Sequence, residues 1–310
     1  CIALSAHGHA GGTRFTVSAS GKGRGQDADK AQVLLDASLA NDEAAPIYAL
    51  FGLPALPIDA AGHTEVSLAA KGSLAKGMAT SLSVAGDGLQ ASFDGVIRRA
   101  DDGLSAKGEA KLTARDIQPW LITAGAALPG TALGLPVTLA SQVRFAGGTL
   151  GLDDLKGSVG GGAIAGNLRA GLKGGLPDFG GSLSVDTVDL SLAADMLFGG
   201  SALRGKDGGW PATPFSPKPQ PAFLGDLDLS AKVLQAGPLA TAHDAKFKAS
   251  LDVNGLSVTD LSAKMDGGTL SGLFELRNNA GTGLFTAQAS IDGVDLGQLL
   301  AGSGLRGNAD

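Results

Sequence analysis

The sequence predicts a mainly β protein: elongated antiparallel meanders that form a curved sheet or groove, with short capping helices. Three observations lead there. Hydrophobicity alternates with period two over long runs, glycine and aspartate cluster between the runs, and part of the chain repeats at a constant spacing.

The clearest run is Leu104–Arg115, where Leu104, Ala106, Gly108, Ala110, Leu112 and Ala114 alternate with Ser105, Lys107, Glu109, Lys111, Thr113 and Arg115. A helix would scatter the two sets around its circumference, whereas a strand separates them onto opposite faces. At ~3.3 Å per residue such a strand is about 40 Å long. Val137, Leu139, Val143 and Phe145 form a second apolar set, facing away from Thr138, Gln142 and Arg144. In the C-terminal third, Leu227, Leu229, Ala231 and Val233 alternate with Asp226, Asp228, Ser230 and Lys232. Phe247, Ala249, Leu251 and Val253 alternate likewise with Lys246, Lys248, Ser250 and Asp252. Gly86-Asp87-Gly88 and Asp101-Asp102-Gly103 supply hairpin-turn chemistry between runs.

Residues 154–190 align without a gap onto 260–296, a shift of 106, with 12 of 37 positions identical. Composition alone would give roughly three or four. Each copy reads as strand, Gly-Gly turn, strand, loop and strand, ending in Val-Asp-Leu; a fainter third copy ends at Asp116-Ile117. Asp116, Asp189 and Asp295 each precede a short apolar run of helical pattern, and each is expected to cap the free amides of a first helical turn. Residues 205–222 carry five prolines and read as an extended connector. The chain therefore divides into a β-meander region (1–204), a Pro-rich connector (205–222) and a C-terminal repeat of the groove (223–310) expected to stop mid-architecture.

Composition narrows the function. The 310 residues are 44% hydrophobic, too apolar for a disordered polymer, but only 5% aromatic and 17% charged, with 49 glycines. A formal charge of −6 without a basic block argues against a nucleic-acid partner, and a single cysteine excludes a disulfide scaffold. No signal peptide or membrane-spanning helix is visible. A chain starting at Cys1 reads as a fragment or as one whose start was removed, a lipid-modified cysteine being the lesser alternative.

The motifs with possible chemistry each have a plainer reading. Gly160-Gly161-Gly162 loosely fits a dinucleotide fingerprint but precedes a strand pattern. Ser73 and Lys76 match SxxK without the companion motifs of penicillin-binding enzymes. His7 and His9 share a strand face with no third ligand nearby. The duplicated pairs Asp186/Asp189 and Asp292/Asp295 suit turns and caps better than a catalytic dyad. No nucleophile, base and orienting group assemble, so no enzyme, metal or cofactor is expected. The uncharged apolar face remains. Many of its positions are Ala or Gly, which leave room for a ligand such as a lipid acyl chain; the alternative is a structural β-solenoid or passenger-type repeat protein of the cell envelope. The lining expected is Leu104, Leu112, Leu139, Val143, Phe145, Leu227, Leu229, Val233, Phe247, Leu251, Leu270, Phe274, Phe285 and Ile291.

Three segments resemble the AsmA-like family of bacterial envelope proteins, relatives of the bridge-like lipid-transfer proteins. They are Leu50–Pro57 with the strand from Thr64; Trp210 with Pro214-Phe215; and Asp260-Leu261, Gly267–Gly272 and Ile291–Leu296 with Leu299-Leu300. Together they span roughly residues 30–304. The resemblance implies a periplasmic β-rich groove that moves phospholipid between inner and outer membranes and supports outer-membrane assembly. It also implies an inner-membrane anchor outside this chain and outer-membrane or periplasmic protein partners. It implies no catalytic residue.

Overall fold

The computed structural model describes residues 2–23, 30–50, 62–101, 103–119, 134–190, 223–235, 241–265, 268–279 and 281–293. Strands dominate, as the alternation predicts. Sixteen of them lie among the described residues, and within each unit neighbouring strands follow chain order. The chain divides into two compact units, Cys1–Leu172 and Lys173–Asp310.

The first unit holds β1 (Ile2–Ala10), β2 (Thr13–Lys22), β3 (Gln32–Asn41), β4 (Thr64–Ser73), β5 (Gly77–Gly86), β6 (Leu89–Ala100), β7 (Gly103–Ala114), β8 (Val137–Ala146), β9 (Thr149–Val159) and β10 (Gly162–Lys173). Each pairs antiparallel with the next. One helix, α1 (Ala44–Leu50), follows β3. The chain leaves the sheet after β3 and after β7 at the same rim, because Asn41, Thr64, Gly86, Leu89, Ala114 and Val137 oppose one another in succession.

The second unit holds β11 (Leu176–Asp189), β12 (Leu224–Gln235), β13 (Thr241–Leu251), β14 (Gly255–Met265), β15 (Gly268–Asn279) and β16 (Thr282–Asp292). Here the structure departs from a pure meander: β11 and β12 are parallel, Asp178 beside Leu224 and Asp189 beside Gln235. Parallel neighbours need a long return connection, and residues 190–223 provide it. The Pro-rich 205–222 falls within that connection, outside the described residues.

The repeat is structural as well as sequential. At the offset of the sequence repeat, β9 coincides with β14 and β10 with β15 at both ends. Asp154 and Asp260, equivalent positions at that offset, both hold left-handed backbone, φ 51° and 54°. Each sits at a break in strand register, a β-bulge. The fainter copy has a counterpart too. Strands β4–β7 start at Thr64, Gly77, Leu89 and Gly103, and β8–β11 start at Val137, Thr149, Gly162 and Leu176. The four starts recur at nearly the spacing that separates Asp116 from Asp189.

Asp116 lies just beyond the end of β7. Its carboxylate accepts the amide of Gln118 (3.0 Å), where the chain turns helical, and also the amides of Gly134 (2.9 Å) and Leu135 (3.1 Å). It thus ties the end of β7 to the approach to β8. Asp189 closes β11 directly before Leu190, whose backbone is helical. Asp295 lies outside the described residues. Helix α1 is not expected from sequence, and its start resembles the Asp116 turn. Asn41 Oδ1 accepts the Glu43 amide at 2.9 Å, while Asn41 Nδ2 donates to Thr13 Oγ1 at 2.8 Å.

Candidate functional site: the apolar face

Residues directly opposed across strands project to the same face, so register alone defines the face in the first unit. Gly8, Phe15, Leu39, Val66, Val84, Ala91, Leu112, Leu139, Gly157 and Ile164 oppose one another in turn from β1 to β10. At ~4.8 Å per strand this row runs roughly 43 Å. The parallel rows beside it carry Val17, Leu68, Leu82, Phe93 and Val143. Among the described residues the only charge on this face is Arg99, at the rim opposite Leu104. The polar residues that fall within it spend their hydroxyls on backbone: Ser141 Oγ donates to the Asp153 carbonyl at 2.8 Å and Thr80 Oγ1 to that of Met78 at 3.0 Å.

The opposite face is polar and ion-paired. Arg144 meets Asp153 at 2.7 Å and Lys111 meets Glu109 at 2.9 Å. Hydrogen bonding to Glu109, then its charge, holds the Lys111 ammonium above its ordinary value. In the second unit the bulges are cross-linked: Lys248 reaches Asp260 and Lys264 reaches Asp244, each at 2.8 Å. The Lys264 hydrogen bond, reinforced by its charge, keeps the Asp244 carboxyl below the usual range. Asp244, like Asp260, has left-handed backbone (φ 51°).

Cover over the apolar face is uneven. At the rim where the chain leaves the sheet, α1 buries Ala44, Ile47 and Tyr48, and Val66, Ala114 and Val137 are buried too. Burial raises the Tyr48 hydroxyl pKa, against the lowering effect of its hydrogen bond with Thr64. Toward the other rim the face opens at β7 and β8, where Leu104 is 55% exposed and Phe145 38%, whereas Ala70 and Thr80 beside the β4–β5 turn stay buried. Leu112 and Leu139 are half-buried between these extremes, and Val143 is buried.

Some of the room left by small residues is taken. A Cβ on Gly8 would lie 3.1 Å from the Phe15 ring, and one on Gly95 would lie 2.6 Å from that of Phe93. The rings lie over these glycines and fill what the composition alone suggests is empty.

In the second unit, Leu256, Val258, Leu261, Ala263 and Met265 of β14 oppose Leu276, Phe274, Gly272, Leu270 and Gly268 of β15, and Leu270, Phe274 and Leu276 in turn oppose Ile291, Ala287 and Phe285. A buried cluster forms around Ala231, Ala245, Phe247, Leu251, Leu256 and Val258, with Leu229, Leu270 and Phe274 packed against it. Phe247 is only 4% exposed and Leu251 is also buried. Leu227, Leu229, Val233, Leu270 and Phe274 are half-buried, whereas Phe285 (63%) and Ile291 on β16 are exposed.

The residues singled out for other chemistry occupy structural places. Gly160-Gly161 form the β9–β10 turn with φ 59° and 85°, and a strand follows. Ser73 is buried and its Oγ accepts the Lys76 backbone amide at 3.3 Å, a turn contact. His7 and His9 face Thr16 and Arg14 across β1–β2. Asp186 pairs with Lys232 at 2.6 Å. Among the described residues no three His, Cys, Asp or Glu gather as metal ligands, and no helix is long and apolar enough to cross a membrane. Comparison with protein-family models, curated proteins and solved structures finds no match to this chain.

Proposed function

We propose that this chain is a non-enzymatic lipid carrier whose apolar sheet face holds phospholipid acyl chains. One observation carries the reading: ten consecutive strands of the first unit present an apolar face interrupted, among the described residues, by a single rim arginine. A fourteen-methylene chain leaving water for such a face gains on the order of 11 kcal/mol, at ~0.8 kcal/mol per CH₂. A charge along the path would forfeit much of that. The resemblance to AsmA-like proteins supports the same reading. It adds a periplasmic setting, an inner-membrane anchor outside this chain, partners at the outer membrane, and phospholipid movement in support of outer-membrane assembly.

The second reading, a structural repeat protein, is favoured by the buried cluster of the second unit. Photocrosslinking separates the two. A benzophenone side chain at Leu112 or Leu139 should capture lipid from native membranes, and one at Thr113 or Thr138, on the opposite face, should not. Equal labelling of both faces, or none, overturns the carrier reading.

A further inference from the structure

The two rims of the first unit differ in chemistry. The β4–β5, β6–β7 and β8–β9 hairpins turn at one rim, which the ends of β2 and β10 also reach; there Lys22, Lys71, Lys76, Arg98, Arg99 and Arg169 are all exposed. Acidic residues near those tips are few among the described positions: Asp36, Asp101, and Asp153, which Arg144 already engages. At the opposite rim Asp42, Glu43, Glu65, Asp87 and Asp116 balance Arg14, Lys111, Arg115 and Lys156. The chain's net charge of −6 therefore conceals a basic edge.

Exposed apolar side chains share that edge. Ile2 (79%) and Leu172 (78%) join Leu104 and Phe145 there, with Leu34 and Val96 on the other face. Two of the tips are fastened together, the Arg99 amide donating to the Leu74 carbonyl at 2.7 Å. Lys76 and Arg99 are thereby held in one group. Among the described residues no ion pair engages Lys71, Lys76, Arg98 or Arg99. Basic residues interleaved with exposed aliphatic ones are the chemistry that seats a protein at a bilayer surface: cations meet anionic headgroups while apolar side chains enter the acyl boundary.

We propose that this rim docks on the surface of an anionic phospholipid bilayer. The inference extends the carrier reading by naming where acyl chains enter. Lipid leaving the bilayer would meet the exposed Leu104 and Phe145 first, then the buried Val143 and, beyond it, the half-buried Leu112 and Leu139.

The test is flotation of the full chain with vesicles of phosphatidylcholine alone, or of two parts phosphatidylcholine to one part phosphatidylglycerol. Each basic residue near an anionic surface is worth roughly fivefold in partitioning. The variant Lys71→Ala/Lys76→Ala/Arg98→Ala/Arg99→Ala should lose at least fiftyfold on the anionic vesicles, with unchanged urea denaturation. Arg14→Ala/Lys156→Ala, on the opposite rim, should stay within twofold of wild type. Equal losses in the two variants, equal partitioning to both vesicles, or no partitioning by wild type would each overturn the proposal. Uptake of a soluble fluorescent fatty acid, measured without vesicles, reports on the apolar face alone. A rim variant that keeps this uptake but loses the vesicles supports the rim. Absent uptake by wild type counts against the carrier reading and leaves the rim to be judged by flotation.

Discussion

Replacing Asp116 with alanine removes a carboxylate that accepts three backbone amides, Gln118, Gly134 and Leu135, at 2.9–3.1 Å. The first is a helix-start contact, a class worth about 0.5–2 kcal/mol. The other two join segments 18 and 19 residues away, so losing them also loosens the return into β8. Partial solvation of the site weakens each charge-assisted bond, which brings the expected total to about 2 kcal/mol. Asp116→Asn keeps one carbonyl oxygen and should cost about half as much. Burial raises the Asp116 pKa, but the three amides outweigh it and the carboxyl lies below its ordinary 3.8. A group depressed on folding contributes stability above its unfolded value and loses it as pH falls through the folded one. The gap between wild type and Asp116→Ala should therefore be full at pH 7 and shrink below pH 4. Urea denaturation across pH, with hydrogen exchange at Gly134 and Leu135, measures both. A gap that is absent at pH 7, or that stays constant to pH 2, would show that the ionised Asp116 carboxylate does not hold this turn.

Phe247→Ala should destabilise by about 3–5 kcal/mol, because the ring is buried in the second unit's cluster, whereas Phe285→Ala on exposed β16 should cost under about 1 kcal/mol; thermal or urea unfolding ranks them. Since an aspartate at Phe247 would break that cluster, half-buried Leu112, opposite Ala91 and Leu139, is the better probe. Leu112→Asp should abolish fatty-acid uptake while leaving the circular dichroism of the sheet intact. Asp260 holds φ 54°. Asp260→Gly should be neutral or slightly stabilising, and Asp260→Val should cost about 1–2 kcal/mol or more in urea unfolding. Raising salt to 0.5 M should weaken vesicle flotation, since exposed charges are screened within a few ångströms there.

The strands are legible in the sequence because a half-buried sheet face writes itself as period two: Leu104–Ala114 and Val137–Phe145 are strands whose apolar sets share one face. The repeat is legible because Gly-Gly turns and Val-Asp-Leu endings recur at one spacing. The left-handed aspartates are not, since Asp154 and Asp260 look like ordinary surface residues until register shows an extra one in the strand. The parallel β11–β12 pair escapes for a similar reason, as alternation says nothing of strand direction. Helix α1 is seven residues long with Pro46 near its start, too short for a periodic signal, and its burial comes from tertiary contact. Of the face itself, sequence supplies the positions but not their cover. Ala and Gly could mean space or close packing, and Phe15 over Gly8 shows that both occur on one surface.

Native mass spectrometry of the full chain purified from cells without detergent tests the carrier reading most directly. Ions heavier than the polypeptide by the mass of phospholipid are expected from wild type and not from Leu112→Asp. A wild-type spectrum showing polypeptide alone, even after incubation with phospholipid vesicles, would contradict the carrier reading.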